Sequence, residues 1–468
     1  MVFSTLEFLF FFFPIVWIGY FFIKTKYANL WLLMSSLLFY YIGDKKHMFL
    51  LIGIILIAYA AGILIPKCNS IFLRRIFMVG SVAVMVLVMS YYKYWNFMIE
   101  NINAVFGKSF AYRNIVFPIG ISFFVFQSIS YIVDVYRGEK ALKNPIDMAL
   151  YISFFPQLIA GPIVRFHDIN EFLDKKYREI NIRNIENGIW RFCIGLSKKV
   201  MLANNLGGLA DIVFNVKDIS RFSVMYTWLG AIAYTLQIYF DFSGYSDMAI
   251  GLGEMFGFQF QENFNYPYIA KSIKDFWRRW HISLSQFFRD YVYIPLSGSR
   301  CSVKRWIFNI LCVWLLTGLW HGASWNFVVW GVIYGILLIL EKLIGKNKVS
   351  NRIMCVGSHV YTLIIVIMLW VVFRSSNISQ AIQYLKNMFG IGAKSFVDRA
   401  FVFQVKNYWL LIMISIICCM PVSDFIKRKC GESKMLEVIK AIALIGCTIS
   451  AISFICMRSY NPFLYFMF

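Results

Sequence analysis

Ten apolar segments decide what this chain can fold into. They span residues 7–23, 28–42, 48–65, 76–92, 222–242, 306–321, 324–340, 358–373, 407–421 and 438–457. A helix needs about 20 apolar residues to cross the hydrocarbon core of a bilayer, and 60% of the chain is hydrophobic while only 15% is charged. These features exclude a soluble globular protein and predict an all-α polytopic membrane protein. Several segments are short for a simple span, which predicts tilted or re-entrant helices and local thinning of the bilayer.

The apolar pattern is interrupted between residues 93 and 221. Five helix-breaking residues stand inside apolar stretches there, namely Pro118, Gly120, Pro156, Gly161 and Pro162. Proline removes a backbone donor, which membrane depth tolerates only where protein or a watery cavity satisfies the freed groups. We therefore expect broken helices in this part of the chain. The charged, amphipathic residues 174–199 are typical of helices that lie at the cytoplasmic surface.

The chain carries a formal net charge of +22. Nucleic-acid binding would need a basic tail or an RNA-binding motif, and neither accompanies this charge. Loop charge at the cytoplasmic face accounts for it, because anionic headgroups attract lysine and arginine. We therefore expect membrane lipid, and not nucleic acid, as a partner. The ten cysteines have neither paired nor metal-ligand spacing, which predicts no disulfide framework, no metal site and no bound cofactor.

Residues 263–331 combine a basic, aromatic stretch with an apolar span. Between residues 271 and 305 there are eight basic residues and two acidic ones. Tryptophan and tyrosine settle at the membrane interface, where lysine and arginine meet headgroups. This order predicts a membrane-surface element that leads into a buried helix. The segment also holds two of the five histidines, His281 and His321, each directly after a tryptophan.

His321 ends the apolar span in the sequence LLTGLWHGASWNF. An ionisable residue there is costly unless it has a partner or a function. The 16 residues from Trp306 to His321 rise about 24 Å as a helix, which is short of the roughly 30 Å core. His321 is therefore expected inside the membrane at the floor of a cavity, where a neutral imidazole can act as a general base toward a hydroxyl. The alternative is a structural histidine that caps the next helix.

Three further residues of the basic stretch are candidates for the site. On a helix, His281 shares a face with Trp277, and this pattern is as compatible with a structural role as with catalysis. Arg278 and Arg279 are candidates to bind the phosphates of a nucleotide-type donor, because guanidinium groups pair with phosphate oxygens. Membrane anchoring by positive charge is the alternative for both arginines.

Other polar residues lie in or beside apolar segments. Four of them are Gln127, Asp134, Arg137 and Asp247. We expect buried structural pairing for these, because unpaired charge is expensive in such surroundings. The remaining histidines are His47, His167 and His359. They stand in loops or at helix ends without an evident convergent partner, which predicts structural or solvated roles.

Five stretches of the chain closely resemble the membrane-bound O-acyltransferase (MBOAT) superfamily. They are NYPYIAKSIKDFWRRWHISLSQFFRDYVYIPL, TGLWHGASWNFVVWG, FPIGISFFVFQSISYIVDVYRG, FFPQLIAGPIVR and WVVFRSSNISQAIQYL. Within the superfamily, the bacterial alginate O-acetylation branch is the most similar, and it is related to the D-alanyl transfer proteins of teichoic acid modification. The likeness covers nearly the whole chain, and together the motifs are specific.

The resemblance implies about eleven membrane helices, with re-entrant and interfacial helices, around a thinned centre. It also implies a cytoplasmic tunnel for the acyl thioester and an outer funnel for the acceptor. The family's invariant histidine matches His321, and a second, less uniformly essential histidine matches His281, within a catalytic core at residues 263–331. No internal repeat is found, so a single membrane domain is expected over residues 1–468.

The last residues of the sequence, FLYFMF, resemble an aromatic motif with a central tyrosine that belongs to this branch. That tyrosine has been proposed as an acyl relay to an extracytoplasmic transferase, and here it matches Tyr465. A phenol accepts an acyl group when a base activates it, and the resulting ester can pass the group on. Residues 457–468 are therefore expected to form an extracytoplasmic tail, with an interfacial aromatic anchor as the alternative.

These observations lead to one hypothesis and three alternatives for a protein of the bacterial inner membrane. An acyl thioester, expected to be acetyl-CoA, enters from the cytoplasm, and His321 removes the proton of Tyr465. An extracytoplasmic acyltransferase partner then places the acyl group on a polysaccharide or peptidoglycan hydroxyl. The alternatives are D-alanine transfer for teichoic acid modification, a glycan or lipid transporter, which predicts inverted repeats, and a non-catalytic scaffold for a polysaccharide synthase.

Overall fold

The computed structural model describes residues 2–216, 218–345, 352–422, 425–426, 428, 433–457 and 463–464. All regular structure in these residues is helical. In chain order the α-helices are α1 (Phe13–Phe22), α2 (Ala28–Asp44), α3 (Met48–Lys67), α4 (Ile71–Phe106), α5 (Ile121–Arg137), α6 (Pro145–Ser153), α7 (Phe155–Leu158), α8 (Phe166–Ile169), α9 (Ile182–Ser197), α10 (Asn204–Phe214), α11 (Val224–Met255), α12 (Ile273–Trp277), α13 (Ile282–Phe288), α14 (Val303–His321), α15 (Trp325–Leu343), α16 (Arg352–Arg374), α17 (Ile378–Met388), α18 (Arg399–Cys418) and α19 (Lys434–Met457).

Seven helical stretches of the described chain are long and apolar enough to cross a membrane. They are Thr25–Lys67, Ile71–Phe106, Val303–His321, Trp325–Leu343, Ile353–Arg374, Arg399–Cys418 and Glu437–Met457. Each of the ten apolar segments lies in or overlaps a helix. The prediction of an all-α polytopic membrane protein is therefore confirmed.

The chain forms two compact units. The first comprises Met1–Phe192 and Tyr245–Glu262, and the second comprises Cys193–Gly244 and Asn263–Phe468. In the first unit, fourteen of the 17 residues of α5 are buried. The predicted break before this helix is real at Gly120, whose φ is +75° and where an added Cβ would lie 2.7 Å from the carbonyl oxygen of Leu158. Only glycine fits such a position, but beyond it the chain continues as a regular helix that the interrupted pattern did not predict.

A charged cluster in the first unit is centred on His167 in α8. Its Nδ1 lies 3.1 Å from a carboxylate oxygen of Asp134, and its Nε2 lies 3.2 Å from Asp168. Arg165 donates to Asp168 over 2.7 Å. The hydrogen bond to Asp134, followed by that to Asp168, raises the pKa of His167 to about 9. The prediction that His167 lacks convergent partners is wrong, whereas the buried pairing expected for Asp134 is confirmed.

In the second unit, α14 and α15 form a hairpin whose backbones touch. A Cβ added at Gly331 would lie 2.3 Å from the carbonyl oxygen of Trp314, and one added at Gly318 would lie 2.3 Å from that of Phe327. Side chains larger than hydrogen would force the helices apart. The two glycines therefore allow α15 to pack directly against the last turns of α14, which ends at His321.

Candidate active site

His321 is held among aromatic rings from three helices. Its ring centroid lies 5.0 Å from that of Trp320 in α14, 5.1 Å from that of Trp330 in α15 and 5.1 Å from that of Phe373 in α16. All three rings meet the imidazole edge to face, at interplanar angles of 72° to 85°. His321 is 5% exposed. The imidazole therefore stands in a fixed orientation at a site from which bulk water is largely excluded.

His281 is fully buried and is oriented by Asn263. The Nδ1 of His281 lies 3.1 Å from the Oδ1 of Asn263, which also accepts from the backbone N–H of Ser283 at 3.3 Å and from its hydroxyl at 2.9 Å. A backbone N–H always donates, so the atom of Asn263 that faces the imidazole is an oxygen and Nδ1 carries the proton. The other ring nitrogen, Nε2, is a buried acceptor with no hydrogen-bond partner among the described residues. Burial lowers the pKa of His281 to about 3, so its imidazole is neutral near pH 7.

The expectation that His281 lies on a helix is wrong. Its φ is +45°, and it caps the start of α13 after the chain leaves α12. A non-glycine residue in this region is strained, and the backbone of Asn263 holds it by accepting from the N–H of Ile282 at 2.9 Å. Asn263 thus binds this turn through both its side chain and its main chain. Sequence reasoning missed Asn263, because a tertiary hydrogen bond over 18 residues leaves no periodic signal.

Trp320 connects the two histidines. Its ring centroid lies 5.6 Å from that of His281 and 5.0 Å from that of His321. The two candidate catalytic residues are thus brought to one region of the second unit, as neighbours of the same indole. Each imidazole contacts this indole, so Trp320 is a packing neighbour common to both histidines.

A cavity of about 940 Å³ lies in the second unit, and every residue that lines it falls within residues 271–342. Its polar lining includes five basic residues, Lys271, Lys274, Arg278, Arg289 and Lys342. Its apolar lining includes Leu284, Phe288, Ile310, Val313 and Leu338. Thr317 of α14 also lines the cavity, and His321 follows one helical turn later, a rise of about 6 Å. Neither His321 nor His281 is among the lining residues, so the cationic cavity extends along α14 as far as Thr317, one turn before His321.

The two predicted donor-binding arginines have different surroundings. Arg278 lines the cavity and makes no ion pair within the part of the chain that the structure describes. Arg279 is not among the lining residues, and its guanidinium pairs with Asp275 over 3.0 Å. It also donates to the carbonyl oxygen of Asn265 over 3.2 Å. Of the two, only Arg278 is available to a molecule in the cavity.

Tyr465 lies outside the described residues, but Leu464 before it is described and buried. The backbone N–H of Leu464 donates over 2.8 Å to one carboxylate oxygen of Asp241, whose other oxygen accepts from the ammonium group of Lys199. Sequence reasoning missed this ion pair. The surface position expected for residues 174–199 is wrong for Lys199, which is 2% exposed, because Asp241 compensates its charge in the interior.

Comparison with known proteins gives a consistent result. A model of the membrane-bound O-acyltransferase family, MBOAT, matches residues 86–379, a range that contains both His281 and His321. The probable alginate O-acetylase AlgI of Pseudomonas aeruginosa is 42% identical over 84% of this chain and 75% of its own length. The peptidoglycan O-acetyltransferase of Helicobacter pylori is 32% identical over 100% of this chain and 98% of its own. The teichoic acid D-alanyltransferase of Bacillus subtilis is 30% identical over 50% of this chain and 62% of its own.

Proposed function

Since this chain belongs to the membrane-bound O-acyltransferase family, we propose that it moves an acetyl group from a cytoplasmic thioester to an extracytoplasmic hydroxyl. It is a multi-pass O-acyltransferase of the bacterial inner membrane. The observation that carries the proposal is the position of His321 one helical turn beyond Thr317, which lines a cationic cavity. This arrangement supports a donor whose phosphates lie among basic side chains while its thioester points toward the imidazole.

The lining of the cavity supports acetyl-CoA as the donor. Its volume, about 940 Å³, lies within the usual range for cofactor-sized ligands. The phosphates of the nucleotide would pair with cationic groups such as Arg278, because charge-assisted hydrogen bonds to phosphate are strong. The apolar side chains would cover the pantetheine arm. A carrier-protein thioester shares that arm but not the nucleotide phosphates, so it makes less use of the basic lining.

His321 acts as the general base in this proposal. It takes the proton of the Tyr465 hydroxyl while the phenolic oxygen forms a bond to the thioester carbonyl carbon. The carbon–sulfur bond breaks, and the thiolate leaves with the electron pair and takes the proton back from the imidazolium. The products are the tyrosyl ester and free CoA. Holding the donor and the acceptor on opposite sides of one imidazole supplies proximity and moves the acyl group across the membrane without its carrier.

The partner and the polymer are proposed from the relatives. An extracytoplasmic acyltransferase would take the acyl group from Tyr465 to a hydroxyl of a polysaccharide or of peptidoglycan, which restores the phenol. Two relatives, a probable alginate O-acetylase and a peptidoglycan O-acetyltransferase, support acetyl as the group and a glycan as the final acceptor. D-alanyl transfer is less well supported, because the D-alanyltransferase of Bacillus subtilis matches only 50% of this chain.

The test is the intact mass of the purified protein after incubation with acetyl-CoA. Wild type is expected to gain one acetyl group on the peptide that contains Tyr465, and Tyr465→Phe and His321→Ala are expected to gain none. His359→Ala is the matched control, because within the described residues Nδ1 of His359 makes its hydrogen bond to a backbone carbonyl, that of Ala270. Acetylation of His321→Ala at the wild-type rate would exclude the general base, and an unmodified wild type would exclude the relay.

A further inference from the structure

The ion pair of Lys199 and Asp241 lies in a rigid part of the second unit. Lys199 belongs to the π-helical turn Lys198–Ala203, and Asp241 lies within α11. A Cβ added at Gly244, three residues after Asp241, would lie 2.7 Å from the carbonyl oxygen of Gly195 and 3.2 Å from the backbone nitrogen of Lys199. The two segments therefore meet backbone to backbone. This contact brings the segments that carry Asp241 and Lys199 close together.

Residues 463–464 complete this ion pair. Asp241 uses one carboxylate oxygen for Lys199 and the other for the backbone N–H of Leu464 at 2.8 Å. The ammonium group of Lys199 lies 4.4 Å from the ring centroid of Phe463, a cation–π contact. Phe463 is 1% exposed. Two adjacent residues from more than 200 positions away thus contact both members of the pair.

The energetics couple the segment to the pair. The free-energy cost of removing two charges from water is offset only when further hydrogen bonds satisfy the polar atoms that the ion pair itself leaves without a partner. Here one of those hydrogen bonds comes from a main-chain N–H of the segment, so any residue type except proline can supply it. Asp241 therefore binds the backbone of the segment and sets its position without selecting for a particular side chain at residue 464. The cation–π contact of Phe463 with Lys199 favours the one alignment of the segment in which this ring lies against the ammonium group.

We propose that Lys199 and Asp241 are positioning residues that dock the segment 463–464 inside the protein and hold the next residue, Tyr465, where it accepts the acyl group. The proposal rests on the relay put forward above. Consecutive Cα atoms are about 3.8 Å apart, so fixing the N–H of Leu464 restricts the reach of Tyr465 to a small volume. Neither residue takes part in bond making, and their effect is on the fraction of time in which the phenol is in place.

The first test removes single members of this contact. Leu464→Pro deletes the donating N–H, and Leu464→Ala is its matched control because it keeps the N–H. Asp241→Asn removes the charge, and Asp247→Asn is its control, since Asp247 lies on the same helix and pairs with Arg191 over 3.2 Å. Hydrogen–deuterium exchange is measured for the peptide that contains Leu464, without donor. The rate of Tyr465 acetylation and the KM for acetyl-CoA are measured in parallel.

Leu464→Pro and Asp241→Asn are expected to accelerate exchange in this peptide and to slow Tyr465 acetylation, each by about 10-fold or more. The KM for acetyl-CoA should stay within about twofold, because the donor cavity is untouched. If the ion pair were only structural, Leu464→Pro and Leu464→Ala would have similar effects on exchange and on acetylation. If Asp241→Asn fails to fold, the comparison of Leu464→Pro with Leu464→Ala still tests the docking of this segment.

Two results would overturn the proposal. Slow exchange retained in both Leu464→Pro and Asp241→Asn would exclude docking at the ion pair. Fast exchange with unchanged acetylation would exclude a positioning role. An unmodified Tyr465 in wild type would overturn the relay and with it the role in acyl transfer, whereas the exchange data, which need no donor, would still decide docking.

Discussion

The Nδ1 of His281 lies 3.1 Å from the Oδ1 of Asn263, and this one oxygen serves three donors. In Asn263→Ala the three buried donors lose their acceptor, which should lower the free energy of unfolding by about 2–3 kcal/mol. It should also slow acyl transfer, because the left-handed turn at His281 keeps only the main-chain hydrogen bond from Ile282 and loses the side-chain acceptor that orients the imidazole. Ser283→Ala removes a single hydroxyl donor and should cost about 1 kcal/mol. Unfolding in detergent, together with the initial rate, checks both, and equal losses in the two variants would contradict the role of Asn263.

Arg278 and Arg279 are adjacent in sequence but differ in their surroundings. Arg278→Gln should raise the KM for acetyl-CoA by about 10-fold or more, because charge-assisted bonds to phosphate are lost. Arg279→Gln should change it by less than about twofold, because that guanidinium is already paired with Asp275 at a partly exposed site. Steady-state kinetics with varied donor test this. An equal rise for both variants would favour a general surface charge effect.

Gly331 of the α14–α15 hairpin is predicted to tolerate no larger residue. Gly331→Ala would bring a methyl group to about 2.3 Å from the carbonyl oxygen of Trp314, and such overpacking costs about 1–3 kcal/mol. The helices must separate, which moves His321 and should lower kcat more than the KM for the donor. Gly53→Ala is a matched helical control, because a Cβ there meets nothing within 4 Å. Similar activity and stability in the two variants would exclude direct backbone contact.

The raised pKa of His167 predicts that the free energy of unfolding decreases at alkaline pH. Its pKa is raised to about 9, mainly by Asp134, from an unfolded value near 6.5. The charged pair therefore stabilises the fold fully below about pH 6.5, and this contribution disappears as the pH rises through about 9. The side chain is 37% exposed, so screening limits the effect to about 1 kcal/mol. His167→Gln should remove this part of the dependence of unfolding on pH, and an unchanged profile would contradict the assignment.

Much of the fold could be predicted from the sequence, because long apolar segments have few alternatives to a helix in a membrane. The position of His321 followed from an ionisable residue at the end of such a segment, and the resemblance to the acyltransferase family supported its catalytic role. Arg278 was proposed as a donor-binding residue on its charge alone, and the structure places it in the lining of the cavity. The pattern could not distinguish it from Arg279, since only tertiary packing decides which side chain faces a cavity.

Other features of the site could not be predicted, for physical reasons. The left-handed conformation of His281 breaks a helix between two segments whose periodicity is otherwise continuous. The carboxylate of Asp241 and the ammonium of Lys199 are 42 residues apart in sequence, and charge in an amphipathic stretch normally indicates a solvated face. Hydrogen bonds between distant residues depend on the completed packing, which local spacing does not encode.

All residues that line the donor cavity come from residues 271–342, whereas the contacts of residues 463–464 are made by Lys199 and Asp241. If the proposed roles of these two sets of residues hold, choice of donor and delivery to the acceptor are inherited on separate stretches of the gene. Recombination within this family would then exchange the first without disturbing the second. A chimera that receives only residues 271–342 from a relative with a different thioester should acquire that relative's donor while it continues to serve its original partner.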